Sequence, residues 1–176
     1  MKKKIILVFF PGLLFLITVV TQGQPSLKVY GYKQASISGV AKNRSGGETS
    51  QAKSEEQTFN YWFYIKTSKS VALDILDLWI SGKRFNPKTE PVTELPVKKT
   101  NYTAAAGNET RVLVPFTKGK ILLSYPAGLN NGPAQISKYL SNLVSGNELV
   151  ISYSYKEKRY YKILKILTVL EPEARQ

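Results

Sequence analysis

From Thr58 to Thr67 the chain reads TFNYWFYIKT, and its large residues alternate with the period of a β-strand. Phe59, Tyr61, Phe63 and Ile65 share one face, while Asn60, Trp62, Tyr64 and Lys66 share the other. The first set suits a core. The second places Trp62 and Tyr64 outward unless another layer covers them. The next apolar stretch, SKSVALDILDLWISGKRF, changes phase partway: Val71, Leu73 and Ile75 share one face, but Leu76, Leu78 and Ile80 fall on the opposite one. A one-residue bulge at Ile75-Leu76 reconciles the two halves and leaves Asp74, Asp77 and Trp79 outward. Ser81-Gly82 then reads as a two-residue hairpin turn that returns the chain through Lys83, Arg84 and Phe85.

The rest of the chain follows the same grammar. SLKVYGYK is a first strand, and residues 36–57, which include KNRSGGETSQAKSEEQ, form a long polar loop expected to be mobile. Pro87, Pro91 and Pro96 confine the following segment to a sheet edge or to loops. RVLVPF and KILLSY are two more strands joined tightly through Thr117-Lys118-Gly119. One segment departs from the pattern. In PAQISKYLSNLVSGN, Ile136, Tyr139, Leu140 and Leu143 recur at helical spacing, with Pro133 suited to a first turn and Gly146 to a stop. This predicts one short helix at 133–144. The final stretch, NELVISYSYKEKRYYKILKILTVLEP, reads as a hairpin connected by Lys156–Arg159, with Tyr155 opposite Tyr160. One face then carries Leu149, Ile151, Tyr153, Tyr155, Tyr160, Leu164 and Ile166, with Lys162 its only charge, and the other is mostly wet. Short strands, frequent turns and one helix specify an all-β fold. The expected form is an antiparallel β-sandwich, for which an immunoglobulin-like arrangement is one available architecture.

The N-terminus, MKKKIILVFFPGLLFLITVVTQG, places three lysines before an apolar run and ends in small and polar residues. That order reads as a secretory signal peptide, residues 1–23, cleaved after Gly23. An uncleaved segment would instead tether the protein to a membrane. Residues 24–176 form a single domain, large enough to bury roughly 68–70% of its unfolded surface without covalent staples. None exist, because the chain contains no cysteine. A lipid anchor on an N-terminal cysteine is excluded for the same reason. A small exported domain without disulfides is expected in a bacterial envelope, in the periplasm or at the cell surface. The formal charge of +13 falls to +10 without Lys2, Lys3 and Lys4. An exported chain does not meet nucleic acid, so its polyanions would be lipid head groups, glycans, lipopolysaccharide or an acidic partner.

There is also no histidine. Ser-His-Asp and Cys-His catalysis and histidine metal sites are excluded, and no cofactor or metal motif is present. Asp74 and Asp77 read as solvated strand charges. Ser50-Gln51-Ala52-Lys53 matches S-x-x-K but lies in the polar loop, and the spacing of Tyr161 and Lys165 falls on a strand without a dinucleotide-binding segment. The expectation is therefore a protein that is not an enzyme. The candidate binding surface is Trp62, Tyr64 and Trp79 beside Lys66, Lys83 and Arg84, where flat rings and cations could hold an anionic sugar. The competing expectation is that the long loop or the helix covers the tryptophans.

Three segments, VYGYKQASISGV, NYWFYIKTSKSVALDILDLWISGKRF and the final stretch from Asn147 to Pro172, resemble a group of small exported β-sandwich-like proteins of Gram-negative bacteria. No activity is assigned to that group. The resemblance implies localisation and domain extent, and it carries over no functional residue. The expected function is that of an exported binding or accessory module engaging an envelope protein. An anionic glycan or lipid ligand is the alternative, and a carboxylate-based hydrolase is a third reading.

Overall fold

Ser81-Gly82 makes the turn that its sequence calls for: both residues have positive φ, 47° and 84°, and β3 (Asp74–Ile80) returns directly as β4 (Lys83–Val92). The computed structural model that shows this describes residues 24–37, 58–68, 71–103, 107–133 and 136–174. Residues 1–23, expected to be a signal peptide, residues 38–57 of the expected polar loop and the Ser50–Lys53 motif lie outside the described residues. The remaining elements are β1 (Lys28–Ile37), β2 (Thr58–Thr67), β5 (Val97–Thr103), β6 (Gly107–Val114), β7 (Lys120–Leu129), α1 (Lys138–Gly146), β8 (Leu149–Tyr155), β9 (Lys158–Leu164) and β10 (Thr168–Ala174).

Eight strands form one sheet in the order β10-β1-β2-β7-β4-β3-β8-β9, and β5 and β6 form a separate hairpin. The two edge strands, β9 and β10, are consecutive in the chain, with only Lys165–Leu167 between them. Laid flat, eight strands at about 4.8 Å spacing would hold these edges more than 30 Å apart. The link between Leu164 and Thr168 reaches about 14 Å at most. The sheet therefore curls back on itself, and its two halves enclose the main core of Phe63, Ile65, Leu78, Ile80, Leu149, Ile151 and Tyr153. The fold is all-β and sandwich-like. One pairing departs from the antiparallel expectation: β10 runs parallel to β1, with Tyr32 opposite Thr168. A short crossover between opposite sheet edges makes this possible, where a parallel neighbour within a flat sheet would need a long connection.

The bulge lies where the phase switch required it, between Ile75 and Asp77 in the pairing of β3 with β8. The final hairpin turns earlier than expected. Lys156 and Glu157 form a two-residue turn with φ of 49° and 63°, so Tyr153 lies opposite Tyr160 and Tyr155 opposite Lys158. The displacement is two residues, so the faces are unchanged, and Tyr153 stacks on Tyr160 in the core at 5.8 Å. Ile166 does not continue the apolar face. It lies beyond the strand and is exposed, and Leu167 enters the core in its place. RVLVPF and KILLSY fall in different sheets, so Thr117–Gly119 joins two layers.

Each half-sheet is covered on its outer side. The β5–β6 hairpin lays Leu113, Val114 and Val97 over Tyr32, Tyr64 and Ile121. The helix lays Leu140, Leu143 and Val144 over Trp79 and Val150. It starts later than Pro133, because Ser137 caps it: the Ser137 hydroxyl accepts from the Leu140 N–H at 3.1 Å. Starting the helix there leaves Ile136 and Tyr139 exposed at its flank.

Glu148 ties the curl together at the end where the edges meet. Its N–H donates to the Lys165 carbonyl at 3.2 Å, and its own carbonyl accepts from the Ser81 N–H at 2.9 Å. Its carboxylate accepts from the Leu167 N–H at 2.7 Å and pairs with Lys33 on β1. Burial alone would raise the pKa of this carboxyl. The Lys33 hydrogen bond, the Leu167 N–H and the Lys33 charge outweigh it and hold the group below the ordinary glutamate value. The folded state thus binds fewer protons than the unfolded chain in this range. The contribution is complete above the ordinary value, about pH 4.3, and is lost as pH falls through it and then through the lower folded pKa. Glu148→Gln is expected to cost about 1.5 kcal/mol at neutral pH, between a charged hydrogen bond and an exposed ion pair. Urea denaturation at pH 7 and pH 3.5 should find the variant closer to wild type at the lower pH. An unchanged difference would deny the carboxylate this role.

Candidate functional site

Antiparallel ladders alternate, so every second residue directs both its N–H and its C=O to the same neighbour. In β4, the hairpin register and the Asn130 N–H bond to the Arg84 carbonyl give Arg84 and Asn86 to β7, and Phe85 and Pro87 to β3. Pro87 has no N–H to give, and the β3–β4 ladder ends at Phe85 opposite Leu78. Pro126 on β7 lies opposite Pro87, and by the same alternation its missing N–H would have pointed to β2. The β2–β7 ladder ends one step earlier, with Phe63 opposite Ser124. The extra residue between the Asn86 and Pro87 pairings, Ala127, bulges β7 at the same place.

The result is a gap in the sheet. Thr58–Trp62 of β2 stay paired to β1, and Tyr125–Leu129 of β7 stay paired to β4, but the two do not pair with each other. Two adjoining hollows of about 270 and 480 Å³ occupy this gap, sharing Phe59, Tyr61 and Pro126. The smaller is completed by Asn60, Trp62, Leu123 and Tyr125. The larger is completed by Thr58, Lys83, Phe85 and Ala127–Leu129. Phe59, Tyr61, Trp62 and Phe85 are half-buried and Leu129 is largely exposed, so apolar surface is open at the mouth. Tyr125 is fixed at the rim by donating to Glu90 at 2.9 Å, and Lys88 bridges the same carboxylate at 3.1 Å. Burial raises the pKa of Tyr61, against the lowering effect of Lys33, so its hydroxyl is a neutral donor at physiological pH.

No aspartate or glutamate lines either hollow, and among the described residues no three metal-ligating side chains converge. The cleft offers aromatic surface, two stretches of unpaired main chain and one cation. Lys83 makes no ion pair among the described residues.

The structure separates the six residues of the predicted surface. Trp62 and Lys83 come together at the cleft. Tyr64 does not face solvent: the β5–β6 hairpin covers it, and it meets Tyr32 edge-on at 6.2 Å. Trp79 is buried beneath α1. Arg84 is engaged at the same place, donating to Asp77 at 2.7 Å with its guanidinium 5.9 Å from the Trp79 ring. Asp77 is itself buried, correcting the expectation of a solvated strand charge. Lys66 is half-buried near the far end of β2 from the cleft. Two strands, β7 and β4, separate β2 from β3 in the sheet, so these six residues do not form one platform. Phe59, Tyr61 and Phe85, which shape the cleft, were legible only as core and strand residues, and Pro126 was not singled out; the available signal was a proline directly after the apolar alternation of KILLSY. Comparison of the chain with protein-family models, with curated proteins and with solved structures finds no match in any of the three.

Proposed function

We propose that this chain is an exported, non-catalytic binding module that takes up an extended segment of an envelope protein in the β2–β7 cleft. The observation that carries the reading is the interrupted ladder. Two strands face each other across an aromatic-lined gap with main-chain groups that no neighbouring strand uses. An inserted strand can pair with such groups whatever its sequence, and an apolar side chain of the guest fills the hollow. Lys83 favours a guest with a carboxylate beside its apolar residue. Localisation in the periplasm or at the cell surface rests on the N-terminal segment and the lack of cysteine. No helix among the described residues is long and apolar enough to cross a membrane.

A photo-crosslinking amino acid at Asn60, which lines the cleft, is expected to capture one envelope protein through a short extended segment. The same probe at Lys120, at the other end of β7, should capture none. A synthetic peptide of the captured segment should then slow amide exchange at Thr58–Trp62. Pro126→Thr restores the missing donor toward β2, lets the ladder close, and is expected to weaken that peptide at least tenfold. Equal capture at both positions, or peptide binding untouched by Pro126→Thr, would remove the cleft from the function.

A further inference from the structure

The strongest concentration of charge lies away from the cleft. Between Lys156 and Lys165 the chain carries five cations and a single carboxylate, Glu157. None of the five is ion-paired among the described residues. Arg159, Tyr161 and Ile163 point to the same outer face of β9, in a row with about 7 Å between neighbours, and Lys165 is exposed in the bend just beyond the strand. The row is only partly covered. The helix reaches it at one point, where Tyr139 meets Tyr161 edge-on at 6.1 Å and remains 63% exposed itself. Ile163 is 38% exposed, and Ile166, just past the end of the row, is 80% exposed. An edge strand needs lysines to deter pairing with other chains, but that purpose is served without large apolar residues beside them.

We infer that this outer face of β9, with the flank of α1, docks on an anionic phospholipid surface. The inference is independent of the cleft. Cations set around exposed isoleucine and tyrosine match a bilayer boundary. Lys and Arg meet the phosphates, tyrosine lies at head-group depth, and aliphatic side chains reach the acyl region. A soluble polyanion would use the cations and leave Ile163 and Ile166 in water. The absence of a counter-carboxylate along the row fits the same ligand.

The chain has no cysteine, so Ile166→Cys supplies a unique site for an environment-sensitive fluorophore. Lys120→Cys, on an exposed residue of β7, serves as the control. With vesicles of equal phosphatidylglycerol and phosphatidylcholine, the label at 166 is expected to shift to the blue and to resist an aqueous quencher, while the label at 120 does not respond. Phosphatidylcholine vesicles alone should produce neither effect. Adding Arg159→Gln and Lys165→Gln should raise the lipid needed for the shift about twenty-fivefold, since each basic residue near an anionic surface is worth about fivefold. Equal responses at 166 and 120 would overturn the inference, as would a shift indifferent to the two glutamines. A response to dextran sulfate but not to vesicles would overturn it in favour of a soluble polyanion.

Discussion

Trp79→Ala is expected to lower the stability of this protein by about 3–5 kcal/mol, the range for truncating a large aromatic residue inside a core. Trp62→Ala should cost no more than about 1.5 kcal/mol. The two residues were equivalent as sequence, each a tryptophan on the outward phase of a strand. They differ in what covers them. Trp79 is 6% exposed, held between Val150 and Leu140 with the Arg84 guanidinium over its ring. Removing it leaves a void beneath α1 and takes the packing partner from a nine-residue helix too short to persist alone. Trp62 is half-buried at the cleft, with the Lys99 ammonium 4.4 Å from its ring centre. The indole N–H of Trp79 has no acceptor among the described residues. Trp79→Phe removes that unpaired donor along with part of the ring, so it should cost much less than the alanine, within about 2 kcal/mol. Urea denaturation gives the stabilities. Acrylamide quenching of Trp62→Phe, which leaves Trp79 as the sole tryptophan, gives the burial. Strong quenching there, or equal costs for the two alanines, would contradict the placement of the helix.

The sequence carried β2, β3 and the β8–β9 hairpin with their inward faces, and the bulge, because each depends on period-two alternation within one segment. β5 and most of β4 were not legible as strands, since Pro87, Pro91 and Pro96 read as an edge or loop segment and no alternation marks Val97–Thr103. Ser81-Gly82 was legible as a turn for the same local reason: a glycine stood where positive φ was needed. Lys156-Glu157 adopts the same backbone without any residue that advertises it. The pairing register was therefore misplaced by two residues, and the assignment of faces survived only because two is even. What the sequence withheld was which strands become neighbours. A parallel β1–β10 pair depends on the sheet curling enough for a three-residue link to join its edges. No local pattern encodes that. The covering of Tyr64 and Trp79 has the same origin, since alternation says which way a side chain points and nothing of what arrives to bury it. The cleft was hidden more deeply. Its cause is Pro126, legible as a residue that cannot donate, but the strand it fails to reach is known only from the sheet order.

Gly31→Val tests the curl itself and should cost about 3 kcal/mol, the upper end of the range for overpacking. Gly31 lies in the middle of β1, opposite Phe63 of β2. Its φ lies outside the left-handed region, so glycine is not required there by the backbone. It is required by space. A Cβ at this position would fall 2.6 Å from a methyl of Leu167 and 2.7 Å from one of Leu164, both closer than carbon atoms approach. Those two leucines bracket the crossover between β9 and β10, so a bare patch on β1 is what lets the far edge of the sheet close against it. Leu167 is 1% exposed and has little room to retreat. Even Gly31→Ala should cost about 1–2 kcal/mol, opposite to the gain this exchange brings at unhindered sites. Leu167→Ala alone should cost about 3 kcal/mol by leaving a cavity. In the double variant Gly31→Ala, Leu167→Ala, the new methyl enters the space that the leucine vacates. The double variant should therefore be at least 1 kcal/mol more stable than the sum of the two losses predicts. Strict additivity would mean that Gly31 and Leu167 do not meet, and the parallel closure of β10 on β1 would lose its structural reason.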